Sequence, residues 1–258
     1  MKPKVSVITV VKNCESTIEA SVESVIQQSY QEIEHIVIDG ASTDNTVKKI
    51  EKYNDWFSKM ISEPDEGIYD AMNKGIGLAT GAIIGFLNAD DEFNGPDIVS
   101  DVAGLMTETD CDAVFGDLVY VTPKRPQKVI RYYDSSGFNR NWLTIGAMPA
   151  HPTLYVKRDI YERYGGYKTD YRIAADFEFC VRIFGKGKTS FQYLPKVMVR
   201  MRTGGVSTKN LWSNWVLNKE MIRACHENDI QTNMLKILLK YPKKVAGILK
   251  ARIFPTIS

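Results

Sequence analysis

No apolar run in this chain approaches the roughly 18 residues that a bilayer-crossing helix requires, so no membrane-spanning segment is expected. Cysteine is scarce and scattered. Cys14, Cys111, Cys180 and Cys225 form no C-x-x-C pair and have no His at ligand spacing. That argues against a zinc site and for reduced thiols in a cytoplasmic protein. His35, His151 and His226 do not cluster in sequence. Charge is nearly balanced at a net +2, which leaves no global field for nucleic acid, and none is expected as a partner. The chain has no G-x-G-x-x-G after its first strand and no G-x-x-x-x-G-K-[ST], which disfavours a dinucleotide-binding Rossmann site and a P-loop. The opening Met-Lys-Pro-Lys leads into a run too short and too polar for a secretion signal.

What is present is alternation. Val5 to Val11 is a β-branched run and reads as a buried strand. Ser16 and Glu19 read as a capping box for a helix with Ile18, Val22, Val25 and Ile26 on one face. Ile33 to Asp39 is a second strand, with a short helix around Val47 and Ile50 after it. Trp56 to Ile61 suggests a third strand. A helix over 66–79 should turn Ile68, Met72, Ile76 and Ala79 inward, and Ala82 to Leu87 reads as the fourth strand. Strands separated by helices predict parallel pairing with right-handed crossovers, as in a doubly wound sheet.

Beyond residue 95 the pattern loosens. A helix runs from Gly95-Pro96 to about Met106, a strand from Ala113 to Val121, then a turn at Pro123-Lys124-Arg125-Pro126 and a return strand from Val129 to Tyr132. Segment 134–152 suits an irregular, substrate-facing loop. Thr153 to Val156 reads as a strand and Asp159 to Tyr164 as a helix. Ala174-Ala175-Asp176 opens a helix with Phe177, Cys180, Val181 and Phe184 on one side. Phe191 to Tyr193 and Val197 to Met201 read as two short strands, and everything from about Lys209 reads helical except at Pro242.

In open α/β sheets ligands gather beyond the carboxyl ends of the strands. Three of the first four strands end there in polar or acidic groups: Lys12-Asn13, Asp39, and Asn88 with Asp90 and Asp91. A buried strand running into two adjacent carboxylates places charge where it is costly unless a cation is bound. A divalent metal escorting a diphosphate is one answer; a helix cap or a solvated turn is the other. Asp70, Asn73, Lys74 and Gly77 share one helical face, which an ordinary solvated surface would equally explain.

Five segments then occur in order: Val5 to Asn13, Ile38-Asp39-Gly40-Ala41-Ser42-Thr43-Asp44, Glu63-Pro64-Asp65-Glu66-Gly67-Ile68-Tyr69-Asp70-Ala71-Met72-Asn73-Lys74-Gly75, Asn88-Ala89-Asp90-Asp91, and Ala174-Ala175-Asp176. Over roughly residues 4–207 the chain resembles the family-2 glycosyltransferases of the GT-A fold, close to bacterial enzymes of exopolysaccharide and lipopolysaccharide assembly. The resemblance implies a Rossmann-like, mostly parallel twisted α/β sheet flanked by helices. It implies a catalytic domain over 1–208, with a nucleotide-binding half at 1–91 and an acceptor-side half at 92–208. Residues 209–258 form a helical, basic amphipathic extension. The implied activity is transfer of one sugar, with inversion, from a nucleotide-diphosphate donor to a saccharide or lipid-linked acceptor, assisted by Mn2+ or Mg2+.

Residue by residue, the resemblance makes Asp176 the catalytic base and Asp90, with Asp91, the metal-binding carboxylates. Val10, Lys12, Asp39, Asn73, Lys74, Asn88 and Arg202 become nucleotide-sugar contacts. Asp39 accepts hydrogen bonds from the base or ribose, with an Asx-turn as its plain structural alternative. Asn88 stands where the family more often has Asp, and Ala175 where many relatives have Glu; both departures put metal dependence or catalysis in question. At a helix start Asp176 would be held in its ionised form, as a modest base that is always ready, or would be a simple N-cap. Arg200, Arg202 and the Gly204-Gly205 turn sit where a loop closes over the diphosphate, or on an exposed strand face. His151-Pro152 lines the acceptor site or is structural. The enzymatic rival, a sugar nucleotidyltransferase, should carry a Gly-rich, Arg-containing loop where this chain has Lys12-Asn13-Cys14-Glu15. The non-enzymatic rival is a nucleotide-sugar-binding module that has lost catalysis.

After Asp229 come Lys236, Lys240, Lys243, Lys244, Lys250 and Arg252 with no acid. Leu235, Leu238, Leu239, Val245, Ile248 and Leu249 give apolar faces on either side of Pro242. Such a segment suits peripheral contact with the inner face of the cytoplasmic membrane, or packing on the catalytic domain or a homodimer partner.

Overall fold

The computed structural model describes residues 2–122, 125–203 and 211–253; the Pro123-Lys124 turn and the Gly204-Gly205 turn expected over the diphosphate lie outside the described residues. In chain order the first half holds β1 (Val5–Val11), α1 (Ile18–Ile26), β2 (Ile33–Asp39), α2 (Thr46–Ile50), β3 (Lys59–Ser62), α3 (Ile68–Leu78) and β4 (Ile83–Phe86). The second half holds β5 (Asp91–Phe93), α4 (Ile98–Thr109), β6 (Ala113–Thr122), β7 (Arg125–Tyr133), β8 (Tyr155–Lys157), α5 (Arg158–Tyr164), α6 (Ala175–Cys180), β9 (Phe191–Arg202), α7 (Leu211–Glu227), α8 (Met234–Leu238) and α9 (Lys240–Ile253).

The sheet runs in the order β3-β2-β1-β4-β8-β6-β9-β5, with β7 paired on β6. The four strands at the β3 end are parallel, as strands joined by helices require; β1, β2 and β4 are almost wholly buried, while β3 at the edge is partly exposed. From β8 onward the sheet is mixed: β8 and β5 join antiparallel, and β6 and β9 pair in parallel. The register sets Val11 beside Asp39 and Ile8 beside Phe86, so the ends of β1, β2 and β4 arrive at one edge. α3 lies tight on β1: a Cβ added at Gly75 would come within 2.5 Å of Ile8.

Several expected details differ. α1 starts at Ile18 behind Thr17, with no side-chain cap bond. Glu19 turns sideways to Lys49 and Lys52, so no Ser16 capping box forms. The Trp56 region is a 3-10 turn (Glu51–Trp56), and the third strand begins only at Lys59. α3 buries Tyr69, Ala71, Met72 and Gly75, while Ile68 is 49% exposed. Residues 191–202 form a single strand. It stays continuous because the ladder against β6 shifts register between Phe115 and Asp117, where Pro195 would lack a donor. Pro242 falls in the first turn of α9, where a missing N–H is harmless; the helical tail is interrupted just before it at Leu239, and also near Asp229, whose φ is +61°.

One face of α9 packs on β7. Gly247 rests on the Tyr132 carbonyl, and Ala251 is buried with Val119, Val121 and Val129. Val245, Ile248 and Leu249 of α9 are left exposed, as are Leu235 of α8 and Leu239 between the two helices. All four cysteines are free thiols. Among the described residues no helix is long and apolar enough to cross a membrane.

Candidate active site

At the β1–β2 edge Asp39 is fully buried. Its carboxylate accepts the Ser42 N–H at 3.0 Å, the Ser42 hydroxyl, and the Ser62 hydroxyl at 2.6 Å. The Ser42 hydroxyl in turn accepts the Asn13 N–H, and Asn13 Oδ1 accepts the Thr43 N–H, each at 2.8 Å. The Asx-turn geometry is thus realised, and Asp39 fastens the loops that shape this edge. Asp65, which sequence reasoning passed over, lies across Gly40: a Cβ there would stand 2.0 Å from Asp65 Oδ2. Lys12 is exposed at the end of β1, whereas the Val10 side chain is core and only its backbone faces the edge.

The acidic pair follows β4 through a turn closed by the Asp91 N–H on the Asn88 carbonyl, 3.0 Å. Asp91 is 0% exposed, and neither of its carboxylate oxygens, nor Asn88 Oδ1, makes a hydrogen bond of good geometry, the Asn88 side chain and the Arg202 N–H approaching Asp91 only loosely. Such orphans are rare and costly. Burial raises the pKa of Asp90, and burial together with the Asp90 charge holds that of Asp91 well above the carboxylate range. Glu92 pairs with Arg200 and Arg202, tying β5 to β9, so the expected diphosphate ligand Arg202 is already in an ion pair next to the two aspartates. Among the described residues no group of three His, Cys, Asp or Glu side chains forms a metal cage. The orphaned oxygens of Asn88 and Asp91, with Asp90, are nonetheless hard donors that fit a Mg2+- or Mn2+-type ion sharing its shell with a diphosphate.

Asp176 stands in the first turn of α6, half-buried, with Ala174 rather than itself as N-cap. Its carboxyl is pushed up to about 6, mainly by burial, against the opposing pull of the Phe177 N–H at 2.8 Å and the Tyr69 hydroxyl; the Glu220 charge adds to the rise. The expected helix-end effect is therefore outweighed. The six-residue helix supplies little dipole, and desolvation dominates.

The chain leading to Asp176 is held from two sides. From α3, Tyr69 donates to the Ile173 carbonyl, and the Asn73 amide both donates to the Tyr167 carbonyl and accepts its N–H, at 2.7 and 2.8 Å. From α7, Glu220 accepts the N–H groups of Arg172, Ile173 and Ala174 at 2.8 to 2.9 Å. Asn73 is thus engaged in this clamp through one N–H and its oxygen. Lys74 bridges Glu63 at 2.8 Å and the Pro64 carbonyl at 2.9 Å. His151 takes the structural role: buried, stacked on Phe86, bonded to the Tyr167 hydroxyl at 2.8 Å, its pKa lowered by burial to about 4. The signal for Tyr69 was its i, i+4 spacing to Asn73; nothing in the sequence marked Glu220.

Two side chains tie the acids together. Cys14 feels the charges of both Asp90 and Asp39, and Tyr120 those of both Asp91 and Asp176. Asp39 and Asp90 are thus within electrostatic reach of one side chain, and Asp91 and Asp176 of another.

Comparison with known proteins bears on the same segments. Residues 6–165 match the family model described as Glycosyl transferase family 2. The chain is 26% identical over 257 residues to a PGL/p-HBAD biosynthesis glycosyltransferase of Mycobacterium bovis, covering 97% of this chain and 95% of that protein. It is 36% identical over 183 residues to an uncharacterized glycosyltransferase of Mycobacterium tuberculosis, covering 70% of this chain and 68% of that one. Similar folds are S. aureus TarS 1-349 in complex with UDP-GlcNAc (TM-score 0.66, 16% identity, 98% of this chain and 73% of that chain). The Pyrobaculum calidifontis mannosyltransferase PcManGT in complex with GDP-Man and Mn2+ also aligns (TM-score 0.64, 20% identity, 100% of this chain and 77% of that chain). With its parallel nucleotide-edge strands, its acidic turn after β4 and this family match, the chain belongs to glycosyl transferase family 2 and is a glycosyltransferase.

Proposed function

We propose that this glycosyltransferase moves one sugar from a nucleoside-diphosphate donor to a hydroxyl of a saccharide or lipid-linked acceptor, with inversion, in bacterial surface polysaccharide assembly. The observation that carries the reading is Asp176: a clamped carboxyl near pKa 6, sharing Tyr120 as a neighbour with the orphaned Asp91. A carboxyl raised this far is a stronger base than an ordinary Asp and is still ionised near neutrality. It takes the acceptor proton as the new glycosidic bond forms and the nucleoside diphosphate leaves from the opposite face. The loops after β1, β2 and β3, with Lys12, Asp39 and Asp65, seat the nucleoside. Asn88, Asp90 and Asp91 would hold Mn2+ or Mg2+, which supplies charge neutralisation on the leaving diphosphate. Arg202 keeps that acidic turn in place through Glu92. Support for a nucleotide-sugar donor comes from the UDP-GlcNAc and GDP-Man complexes of proteins with a similar fold.

The acceptor end is proposed to lie toward the cytoplasmic membrane surface, where the exposed leucines of α8 and α9 and the basic tail would meet anionic lipid. The test is donor turnover with UDP-, GDP- and dTDP-sugars plus Mn2+, set beside binding of the same nucleotides. Turnover by the parent that Asp176→Asn abolishes, with binding kept, is the expected result. Binding without turnover by the parent across donors and acceptors would favour the inactive module instead.

A further inference from the structure

The cross-strand registers set Asp91, Met201, Tyr120 and Arg131 in one row across β5, β9, β6 and β7. Partners in such a row project from the same face of a sheet, so Arg131 emerges on the Asp91 side of the cleft. Its half-buried guanidinium lies 3.6 Å from the centroid of the Tyr120 ring. Arg200 and Arg202 are neutralised by Glu92, and Lys250 by Asp134, but among the described residues Arg131 has no carboxylate in ion-pair range. α9 closes over its stem: a Cβ on Gly247 would stand 3.4 Å from Arg131 Cγ. The same helix brings up Lys244, whose ammonium is disfavoured by desolvation and then by the Arg131 charge. Lys244 is thus within electrostatic reach of Arg131, and among the described residues neither has a carboxylate in ion-pair range. A guanidinium has five N–H donors, so contact with the Tyr120 ring and hydroxyl leaves donors for a ligand, and the planar fork matches phosphate oxygens.

Resting on the proposed reading of the cleft, we infer that Arg131, flanked by Lys244, binds a phosphate oxyanion on the acceptor side, so that the acceptor carries a phosphate close to the hydroxyl that is glycosylated. The same oxyanion chemistry has a second source in the donor diphosphate, and the experiment separates the two.

Calorimetric titration of inorganic phosphate into protein saturated with nucleoside diphosphate and Mn2+ is compared between the parent and Arg131→Gln, which keeps the stem against Tyr120 and Gly247. Expected is phosphate binding by the parent, weakened about tenfold or more in the variant, with nucleoside diphosphate affinity unmoved. A variant that instead loses nucleoside diphosphate affinity, but keeps that for the bare nucleoside, assigns the same site to the donor. No phosphate binding by the parent, or equal phosphate and nucleotide binding by parent and variant at unchanged Tm, overturns the inference. Should Arg131→Gln unfold, Arg131→Lys serves, with partial retention expected and full retention contradicting. Phosphate is also titrated without nucleotide, so a parent that binds no nucleotide would sink the broader functional reading while leaving this site measurable.

Discussion

The Asp176 carboxyl is raised first by burial and further by Glu220, while the Phe177 N–H and the Tyr69 hydroxyl pull it down. Because its folded value, about 6, lies above the ordinary ~3.9, the fold favours the protonated form. The stability this contributes is present in full below the ordinary value and is lost as pH rises through about 6. Asp176→Asn should therefore leave Tm unchanged or raise it, while lowering kcat on the order of a thousandfold. A clear drop in Tm on calorimetry would count against this electrostatic account. A base must be ionised to act, so kcat/KM should climb through about pH 6 and then level off. Asp91 makes a sharper case, since its oxygens are buried without a hydrogen bond of good geometry. Asp91→Asn should raise the metal-free Tm by a few degrees, roughly what relief of a 1 kcal/mol penalty gives, and abolish the gain in Tm on adding Mn2+ with nucleoside diphosphate. Persistence of that gain would remove Asp91 from the ion's shell.

At the scale of elements, α3 and α7 act as the two jaws of a clamp on residues 167–174. Glu220→Gln keeps the size of the side chain but weakens its acceptors and removes a charge that raises Asp176. It should lower kcat by about tenfold, leave donor KM nearly unchanged, and move the acid limb of the pH profile to lower pH. A profile that does not move would mean that Glu220 only stabilises the fold. The elements also explain what the sequence made legible. β1 and β2 were readable to the residue because β-branched runs buried on both faces admit no other structure. The sequence also placed the acidic turn after β4 and Asp176 at a helix start. The clamp was not: Glu220 lies more than forty residues from the backbone it holds, and a carboxylate receiving backbone N–H groups leaves no periodic trace. The bonds of Asn73 to the Tyr167 backbone were not legible, because a polar helix face looks alike whether it meets a ligand or a neighbouring chain segment. The tail breaks twice, at 228–233 and again at Leu239 just ahead of Pro242, because a proline is tolerated in the first turn of a helix but not in its interior.

Across the whole molecule, the parallel half of the sheet ends in Asp39 and the acidic turn, and the mixed half carries Tyr120, which feels the charges of both Asp91 and Asp176. The C-terminal helices do two things at once. α7 holds the Asp176 segment and α9 covers β7, while α7 still exposes stacked Trp212 and Trp215 at 61% and 45%. An aromatic pair beside Lys219, together with the bare leucines of α8 and α9, has the composition of a lipid-facing surface. Cosedimentation with anionic vesicles should be strong at low salt, fall on added salt, and weaken severalfold in a Trp212→Ala, Trp215→Ala double variant. A concentration-dependent dimer that both substitutions break, with no vesicle binding, would point to a second copy of the chain instead.

The central claim is that one aspartate deprotonates the nucleophile in a cleft where the donor's leaving group departs on the far side. Proton NMR of donor hydrolysis, with water standing in for the acceptor, tests it most directly. From an α-linked nucleotide sugar the parent should first release the β-anomer of the free sugar, before mutarotation, and Asp176→Asn should release almost none. First release of the α-anomer, or undiminished hydrolysis by the variant, would contradict the account.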